Sequence, residues 1–403
     1  MRLASRLNRI EPFYVMEVAK MATALAQTER CDPARGGREM IFLNIGEPDE
    51  TASTAVQTAA CAVIEEGRTA YTDATGLPAL RHSLSRWYAQ HFGLEIDPGR
   101  IVITAGASAA LQLIMLALVE PGDEVISPDP SYPCNRHFVA AAGGTARLVP
   151  TSAAQRFQLS ASQVSEQWGP ATAGVLLASP SNPTGTSIEP QEMRAIVEAV
   201  RARGGWTVVD EIYLGLSYER RYARSALELG EDVISVNSFS KYFGMTGWRL
   251  GWLVLPPELV QPVERLAQNL YICPSVIAQK AALACFEPES LAEYERRRAG
   301  FQRRRDYIVP ALEAIGWPVP VHPDGAFYAW IDSAGLAPDS WDLCLRLMHE
   351  AQVVLTPGRD FGPALAAGHL RLSFASSMNR LQEAVARLQR VDRAVLSKPW
   401  AAA

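Results

Sequence analysis

The chain has 403 residues, of which 48% are hydrophobic and 20% are charged, as is ordinary for a globular enzyme with a substantial core. A formal net charge of -5 without long charged blocks predicts no non-specific attraction to nucleic acid or to an anionic membrane, so we expect a small-molecule partner. No window offers about 18 uncharged apolar residues. The basic N-terminus is followed by a stretch containing Glu17 and Lys20, which predicts no signal peptide.

The cysteines, histidines and lysines indicate the cellular compartment and the kind of site to expect. The six cysteines include no Cys-x-x-Cys pair, and the six histidines show no metal-ligand spacing. This pattern is typical of free thiols in a reducing compartment, so we expect a cytoplasmic protein without a metal site. Only four basic residues are lysines, so a lysine in an unusual setting stands out; they are Lys20, Lys241, Lys280 and Lys398.

From about residue 100 to 255, short β-branched runs alternate with helix-like segments. This alternation predicts an α/β fold, with a mainly parallel seven-stranded sheet and helices on both of its faces. The predicted strands are Ile101–Thr104, Glu124–Ser127, Ala146–Val149, Val175–Ala178, Thr207–Asp210, Val233–Asn237 and Leu250–Leu255. The helices between them include Ala109–Val119 and Pro190–Arg203.

After Pro274 the pattern changes to a long charged helix that contains Tyr294–Arg305, followed by a strand at His369–Phe374 and a last helix. These elements predict a second, smaller α+β domain. We expect residues 1–48 to form an N-terminal arm and part of the small domain, residues 49–285 the large domain, and residues 286–403 the small domain. The tail after Lys398 is expected to be loose.

Ligands of an open parallel sheet bind beyond the carboxyl ends of its strands, so the residues that follow each strand are candidates for the binding site. Small residues at Gly106–Ser108 open a helix, whose N-H groups and dipole suit a phosphate, although Ser108 could simply be an N-cap. Tyr132 follows the next strand and could stack on a planar ligand or be a turn residue. Asn182 can donate a hydrogen bond into the cleft from a turn that Pro183 and Gly185 fix.

Two ionisable residues terminate the next two strands. Asp210 ends an apolar strand, where a carboxylate is costly to bury unless it has a cationic partner such as a protonated ring nitrogen; a structural salt bridge is the alternative. Lys241 is surrounded by hydroxyls, aromatics and glycines, so it should lose its proton readily and act as a nucleophile. Arg249 begins the last strand, which must run antiparallel if Arg249 is to offer its cation to a phosphate in the same cleft.

These motifs together resemble the class I/II aminotransferases of pyridoxal 5'-phosphate (PLP) fold type I. The most specific are Asn182-Pro-Thr-Gly185 and Ser238-Phe-Ser-Lys241, and the others are Asp210-Glu-Ile-Tyr213, Gly247-Trp-Arg249-Leu-Gly251, Gly46-Glu-Pro-Asp49, Tyr71 and Leu370-Arg371-Leu-Ser. The resemblance spans nearly the whole chain. It departs from the family at Glu50–Ser53, which lacks a common proline, and at Gly106–Ser108.

The resemblance implies that PLP is the cofactor and that Lys241 holds it as a Schiff base and then moves the proton at the substrate Cα. Asp210 would keep the pyridine nitrogen protonated, and Asn182 and Tyr213 would hydrogen-bond the phenolic oxygen while Tyr132 stacks on the ring. The residues implied to hold the phosphate are Ala107, Ser108, Ser238 and Arg249.

The resemblance also implies how the substrate and a second subunit bind. Arg371 would bind the substrate α-carboxylate through a bidentate pair of hydrogen bonds, with Gly46 and Asn182 close by. Tyr71 would reach the phosphate of the neighbouring subunit, which implies a homodimer.

The predicted function is therefore transfer of an amino group between an L-amino acid and a 2-oxo acid, with a neutral or broad donor specificity and 2-oxoglutarate as acceptor.

A PLP lyase or decarboxylase remains an alternative function, because the same electron sink serves several reactions. A serine hydrolase is a weaker one, since Gly106–Ala109 only loosely resembles a nucleophile elbow. A regulator would need a DNA-binding segment, for which the residues before Gly46 leave little room. A dehydrogenase is excluded, because no Gly-x-Gly-x-x-Gly follows any strand.

Several aromatic residues could line an apolar substrate pocket or belong to the core. They are Phe13, Tyr14, Phe327, Tyr328 and Trp330.

Overall fold

The computed structural model describes residues 2–398 and Trp400, so most of the tail predicted to be loose lies outside the described residues. Its strands are β1 (Ile41–Phe42), β2 (Ile101–Thr104), β3 (Glu124–Asp129), β4 (Thr145–Pro150), β5 (Thr172–Ala178), β6 (Trp206–Asp210), β7 (Val233–Ser238), β8 (Gly251–Val254), β9 (Tyr328–Asp332), β10 (Val353–Val354), β11 (Thr356–Pro357) and β12 (His369–Ser373).

The α-helices are α1 (Tyr14–Ala26), α2 (Thr54–Glu66), α3 (Pro78–Phe92), α4 (Ala107–Leu118), α5 (Pro133–Ala142), α6 (Ala161–Gln167), α7 (Pro190–Arg201), α8 (Pro257–Leu270), α9 (Val276–Ala282), α10 (Pro288–Ala314), α11 (Ser340–Glu350), α12 (Met378–Arg390) and α13 (Arg393–Leu396). Short 3-10 turns join several of them. Within the part of the chain that is described, no helix combines the length and apolar character that crossing a membrane requires.

The central sheet has seven strands in the order β2-β8-β7-β6-β5-β3-β4. All neighbouring strands are parallel except β8, which is antiparallel to both β2 and β7. The predicted seven-stranded, mainly parallel sheet is therefore confirmed, as is the antiparallel direction of its last strand. Because β8 is reversed, the residues that precede it lie at the same edge as the carboxyl ends of β5, β6 and β7.

Alternate side chains of the inner strand β6 enter different cores, which explains why this strand has apolar residues at adjacent positions. In β6, Val208 packs in the core that α4 and α8 help to form, while Val209 packs in the core that includes α6 and α7. Both residues are fully buried. The helices therefore cover both faces of the sheet, as predicted.

Two smaller sheets complete the fold. Strands β11, β12 and β9 form an antiparallel sheet in that order, in which Arg371 lies opposite Trp330. Strand β1 pairs in parallel with β10, so Ile41 lies beside Val353. The long helix α10 precedes β9 in the chain. The domain boundaries given above stay a prediction.

Candidate active site

A cavity of about 250 Å³ lies at the carboxyl edge of the central sheet. It is lined by nearly all the residues that the sequence singled out, namely Gly46, Ala107, Ser108, Tyr132, Asn182, Asp210, Tyr213, Ser238, Lys241, Arg249 and Arg371. Tyr71 does not line it. That side chain is 78% exposed and lies in a separate surface groove with Lys280.

Lys241 follows β7 and projects its amine into this cavity. Its Nζ donates a hydrogen bond to the carbonyl oxygen of Gly46 at 2.6 Å. Burial lowers the pKa of Lys241 to about 8, with a smaller contribution from Arg371 and Arg249 in the same direction and an opposing one from Glu47. Because more of this amine is neutral near pH 7 than in an ordinary lysine, it is suited to act as a nucleophile.

Asp210 ends β6 and is 4% exposed. Its Oδ1 accepts a hydrogen bond from the backbone N-H of Ile212 at 3.1 Å. Burial raises the pKa of Asp210 to about 7, Glu211 adds to the increase and Lys241 opposes it. No lysine or arginine forms an ion pair with this carboxyl among the described residues. The salt-bridge alternative is therefore not realised, and the group is suited to a cationic ligand atom.

Arg371 lies in β12 with its side chain 3% exposed. Its Nη1 donates to Asn182 Oδ1 at 2.8 Å, and its Nη2 donates to Asn44 O and to Thr356 Oγ1. The guanidinium lies 4.5 Å from the ring centroid of Tyr328, and the buried Nε has no hydrogen-bond partner among the residues that the structure describes. No carboxylate pairs with Arg371 in the described part of the chain, so this cation is available to an anionic ligand.

Tyr213 and Tyr328 form a hydroxyl pair beside Arg371. Their Oη atoms are 2.6 Å apart, and both side chains are buried. Burial raises the pKa of each tyrosine above its ordinary value, so both hydroxyls keep their protons and can donate. A Cβ built on Gly46 would lie 2.2 Å from Tyr328 Oη, which explains the glycine at that position.

The start of α4 forms a second part of the cavity. Its N-cap is Gly106, which has φ +85° and supplies no side-chain cap, so the N-cap interpretation of Ser108 is wrong. A Cβ on Gly106 would lie 2.6 Å from Arg249 Nη2. Arg249 itself is two residues before β8 rather than in it, and its Nη1 donates to Thr246 O at 2.9 Å. Uncapped helix N-H groups beside a guanidinium fit a phosphate group.

We call the part of the cavity formed by the start of α4 and by Arg249 the phosphate corner. The hydroxyl of Ser238 and the ring of Tyr132 also line the cavity. Ser238 Oγ donates to Leu250 O at 3.3 Å and accepts from Ser240 N at 3.0 Å. Tyr132 precedes α5, and the Phe13 ring meets its edge with 6.2 Å between centroids. The cavity thus combines an amine nucleophile, a buried acid, an aromatic ring and a phosphate corner, the set that a PLP molecule requires.

The sequence did not identify every residue that lines the cavity. Of the five aromatic candidates, Phe13 and Tyr328 line it and the other three do not. The residues that were missed are Val15, Met16, Ile45, Glu47, Leu111, Ala178, Pro180, Ile212, Ser240 and Thr246. Most lie inside or next to a predicted motif or strand, as Glu47 does in Gly46-Glu-Pro-Asp49 and Ser240 does in Ser238-Phe-Ser-Lys241. Val15 and Met16 carry no comparable signal, because they reach the cavity from the start of α1.

Comparisons with known proteins agree with this geometry. The family model described as aminotransferase class I and II matches residues 38–388. A valine–pyruvate aminotransferase of Mycobacterium tuberculosis is 36% identical over 388 residues, which cover 96% of this chain and 97% of that protein. An aspartate/prephenate aminotransferase of Thermus thermophilus is 32% identical over 379 residues, covering 94% and 97%.

Solved structures show the same similarity. A crystal structure of a Mycobacterium tuberculosis aminotransferase superposes with a TM-score of 0.91 at 35% identity, over 96% of this chain and 98% of the other. Thermus thermophilus aspartate aminotransferase with maleate gives a TM-score of 0.88 at 32% identity, over 97% and 100%. The similarity therefore extends over almost the full length of the chain.

Proposed function

This chain belongs to the class I and II aminotransferases, PLP-dependent enzymes of fold type I, and on that premise we propose that Lys241 is the amine that binds the cofactor covalently and that 2-oxoglutarate is the amino acceptor. The observation that carries the first proposal is the setting of Lys241. Its Nζ lies in the cavity that also contains Asp210 and Arg371, and burial lowers its pKa to about 8. When bound, PLP supplies an electron sink for the charge that develops at the substrate Cα.

The chain's own residues have the following proposed roles toward the cofactor. Asp210 holds a proton on the ring nitrogen, because a buried carboxylate is stabilised by a cation beside it. Asn182 and Tyr213 hydrogen-bond the phenolic oxygen, and Tyr132 stacks on the ring. The phosphate is held by Ala107, Ser108, Ser238 and Arg249.

Arg371 has the proposed role of binding the substrate α-carboxylate. Its guanidinium is buried, oriented by Asn182 and without an acidic partner among the described residues, which supports a bidentate contact with a carboxylate. With the substrate fixed in this way, the amine of Lys241 would take the proton from Cα and return it to the cofactor carbon.

A monocarboxylate acceptor such as pyruvate is a second candidate, favoured by the charges in the cavity. The described cations that line it are Lys241, Arg249 and Arg371, and each already has a proposed role. Glu47 also lines the cavity, so a second substrate carboxylate finds repulsion there rather than a further cation. The name of the valine–pyruvate relative supports the same candidate.

The decisive experiment is the visible spectrum of the purified protein before and after borohydride, for wild type, Lys241→Ala and Lys280→Ala. Lys280 is a matched control, because among the described residues its Nζ hydrogen-bonds only to Arg68 O, at the surface. We expect wild type and Lys280→Ala to show an imine band that borohydride bleaches with covalent retention of PLP, and Lys241→Ala to retain none. Retention by Lys241→Ala would contradict the proposal.

Product analysis then separates transamination from the lyase and decarboxylase alternatives. We expect each amino acid consumed to give one 2-oxo acid and one aminated acceptor. Release of ammonia or carbon dioxide without an acceptor would overturn the assignment of the reaction. Comparing 2-oxoglutarate with pyruvate in the same assay decides between the two acceptors.

We also propose that the enzyme is a cytoplasmic homodimer in which Tyr71 acts in the neighbouring site. All six cysteines are free thiols, which supports a reducing compartment. The Tyr71 ring is exposed and lies outside the cavity of its own chain, so it is free to reach a neighbouring site.

A further inference from the structure

One wall of the cavity is apolar and comes from the start of α1. Phe13, Val15 and Met16 line the cavity that contains Lys241. Met16 is 52% exposed, and Ile45 beside the cavity is 46% exposed. This wall therefore presents apolar surface, and no lysine or arginine lies in it, at a place that a substrate side chain can contact.

The wall is held by a carboxylate from the other end of the chain. The N-cap of α1, Phe13, supplies no side-chain cap. Instead Asp360 Oδ1 accepts from Tyr14 N at 3.0 Å and Asp360 Oδ2 accepts from Val15 N at 2.9 Å. Asp360 is 0% exposed and forms no ion pair among the described residues. A buried carboxylate needs such donors, and a helix N-terminus stabilises its charge.

Phe361, which follows Asp360, connects the same segment to the rest of the site through its contacts. The Phe361 ring centroid lies 5.0 Å from the Arg371 guanidinium, and Phe361 O accepts a hydrogen bond from Ser131 N at 2.9 Å. Ser131 directly precedes Tyr132, which meets Phe13 edge-on. The Asp360–Phe361 dipeptide therefore fixes the apolar wall relative to the arginine proposed to bind the α-carboxylate.

We propose that Asp360 is a positioning residue that holds the wall of Phe13, Val15 and Met16 against the substrate side chain, so that the enzyme selects amino acids with uncharged aliphatic side chains. This inference rests on the proposed function of the cavity. The distance from the α-carboxylate site to the wall is fixed through Asp360, so a side chain long enough to reach the wall gains apolar contact. Alanine, with a single methyl group, gains little.

The test compares the half-reactions of leucine and alanine in PLP-loaded wild type and Asp360→Asn, followed by absorbance. Each methylene buried against the wall is expected to raise kcat/KM about fourfold, so wild type should favour leucine over alanine. The amide of Asp360→Asn offers only one acceptor oxygen, and its NH2 faces the other backbone N-H. We expect this variant to lose at least about fivefold in kcat/KM for leucine and less than about twofold for alanine.

The control is Asp392→Asn. Asp392 Oδ1 also accepts a backbone N-H at a helix start, from Ala394 at 2.9 Å, but it is exposed and lies away from the cavity. This variant should keep the wild-type ratio of leucine to alanine. An equal loss for both amino acids in Asp360→Asn would mean a merely structural role and would overturn the inference. A wild type that converts aspartate but neither leucine nor alanine would overturn the inference and leave the proposed function standing, whereas a wild type that converts no amino acid would overturn the proposed function.

A second variant is designed to gain activity, so its result cannot be explained by a loss of protein stability. Met16→Arg places a cation at the rim of the cavity, where Met16 is half exposed. If the substrate side chain reaches this wall, kcat/KM for aspartate should rise at least about tenfold, which corresponds to about 1.4 kcal/mol, while that for leucine falls. Unchanged values for both amino acids would place the side chain elsewhere and overturn the inference.

Discussion

At the scale of single residues, burial makes Lys241 different from the other three lysines. Its pKa is lowered to about 8, whereas an unperturbed lysine has a pKa of about 10.4. We therefore predict that cofactor-free protein captures added PLP covalently at a rate that rises with pH and levels off above about 8, because only the neutral amine attacks. Stopped-flow absorbance measures this rate. A midpoint near that of a free lysine would contradict the prediction, and Lys280→Ala should leave the profile unchanged.

Asp210 gives a prediction about stability rather than rate. Burial raises its pKa from 3.8 to about 7 in the cofactor-free protein. Between about pH 4 and 7 the unfolded chain ionises this carboxyl while the folded chain keeps it neutral, so its contribution to stability falls as pH rises. Asp210→Asn removes this titration. The free energy of unfolding of the variant, relative to wild type, should increase by about 2 kcal/mol from pH 5 to pH 7.

Urea denaturation of the two cofactor-free proteins at both pH values provides the measurement. If the difference in unfolding free energy is the same at pH 5 and pH 7, Asp210 does not titrate in this window.

Local pattern predicted the site residues at the strand ends, and the family resemblance supplied Gly46 and Arg371. The contacts that join distant parts of the chain were not predicted. Asp210 and Lys241 end apolar runs, so their place at the edge of the sheet follows from local pattern. Tyr328, by contrast, meets Tyr213 across 115 positions, and Asp360 meets Val15 across 345. No local periodicity encodes contacts of this kind, because they depend on how whole elements pack.

At the scale of elements, the difference between local sequence pattern and long-range packing explains how much of the fold could be predicted. The seven central strands were located to within about three residues, since buried parallel strands read as continuous apolar runs. Strands β1, β9, β10 and β11 were not predicted. Except for β9, each has two residues, too few for an alternating pattern, and each of these short strands exists only because a partner strand lies beside it, as Val353 does beside Ile41.

The start of α4 offers a prediction with a matched control. A Cβ on Gly106 would contact Arg249 Nη2 at 2.6 Å, whereas a Cβ on Gly122 would meet no atom of the described residues within 4 Å; both glycines have positive φ, +85° and +104°. Alanine at either position strains the backbone, but only Gly106→Ala displaces Arg249. We expect Gly106→Ala to weaken PLP binding at least about tenfold and Gly122→Ala to leave it unchanged.

Equilibrium titration of cofactor-free protein with PLP measures both dissociation constants. Equal dissociation constants for the two variants would show that the Gly106–Arg249 contact does not shape the phosphate corner.

At the scale of the whole molecule, the site joins the central sheet to a smaller one. Lys241 and Asp210 follow β7 and β6, whereas Arg371 lies in β12 of the three-stranded sheet. The hydrogen bond from Arg371 Nη1 to Asn182 Oδ1 at 2.8 Å connects the two. A substrate that binds to Arg371 and reacts beside Lys241 would therefore contact both sheets. This contact supports the proposed division into a large domain of residues 49–285 and a small domain of residues 286–403.

The proposed dimer can be tested with hybrids of two impaired subunits, Lys241→Ala and Tyr71→Ala. If Tyr71 acts in the neighbouring subunit, one site of the hybrid lacks both residues and the other has both. Each parent homodimer instead lacks one residue in every site. Mixing differently tagged subunits under conditions of exchange, followed by purification of the doubly tagged species, isolates the hybrid.

We expect this hybrid to show about half the transaminase activity of wild type per dimer, because one of its two sites is intact. The family resemblance implies this action across subunits, and the 78% exposure of Tyr71 within a single chain and its position outside the cavity of that chain agree with it. If Tyr71 instead serves its own subunit, the hybrid contains no intact site, and its activity is the mean of the two parents. A failure of the subunits to associate would exclude the dimer itself.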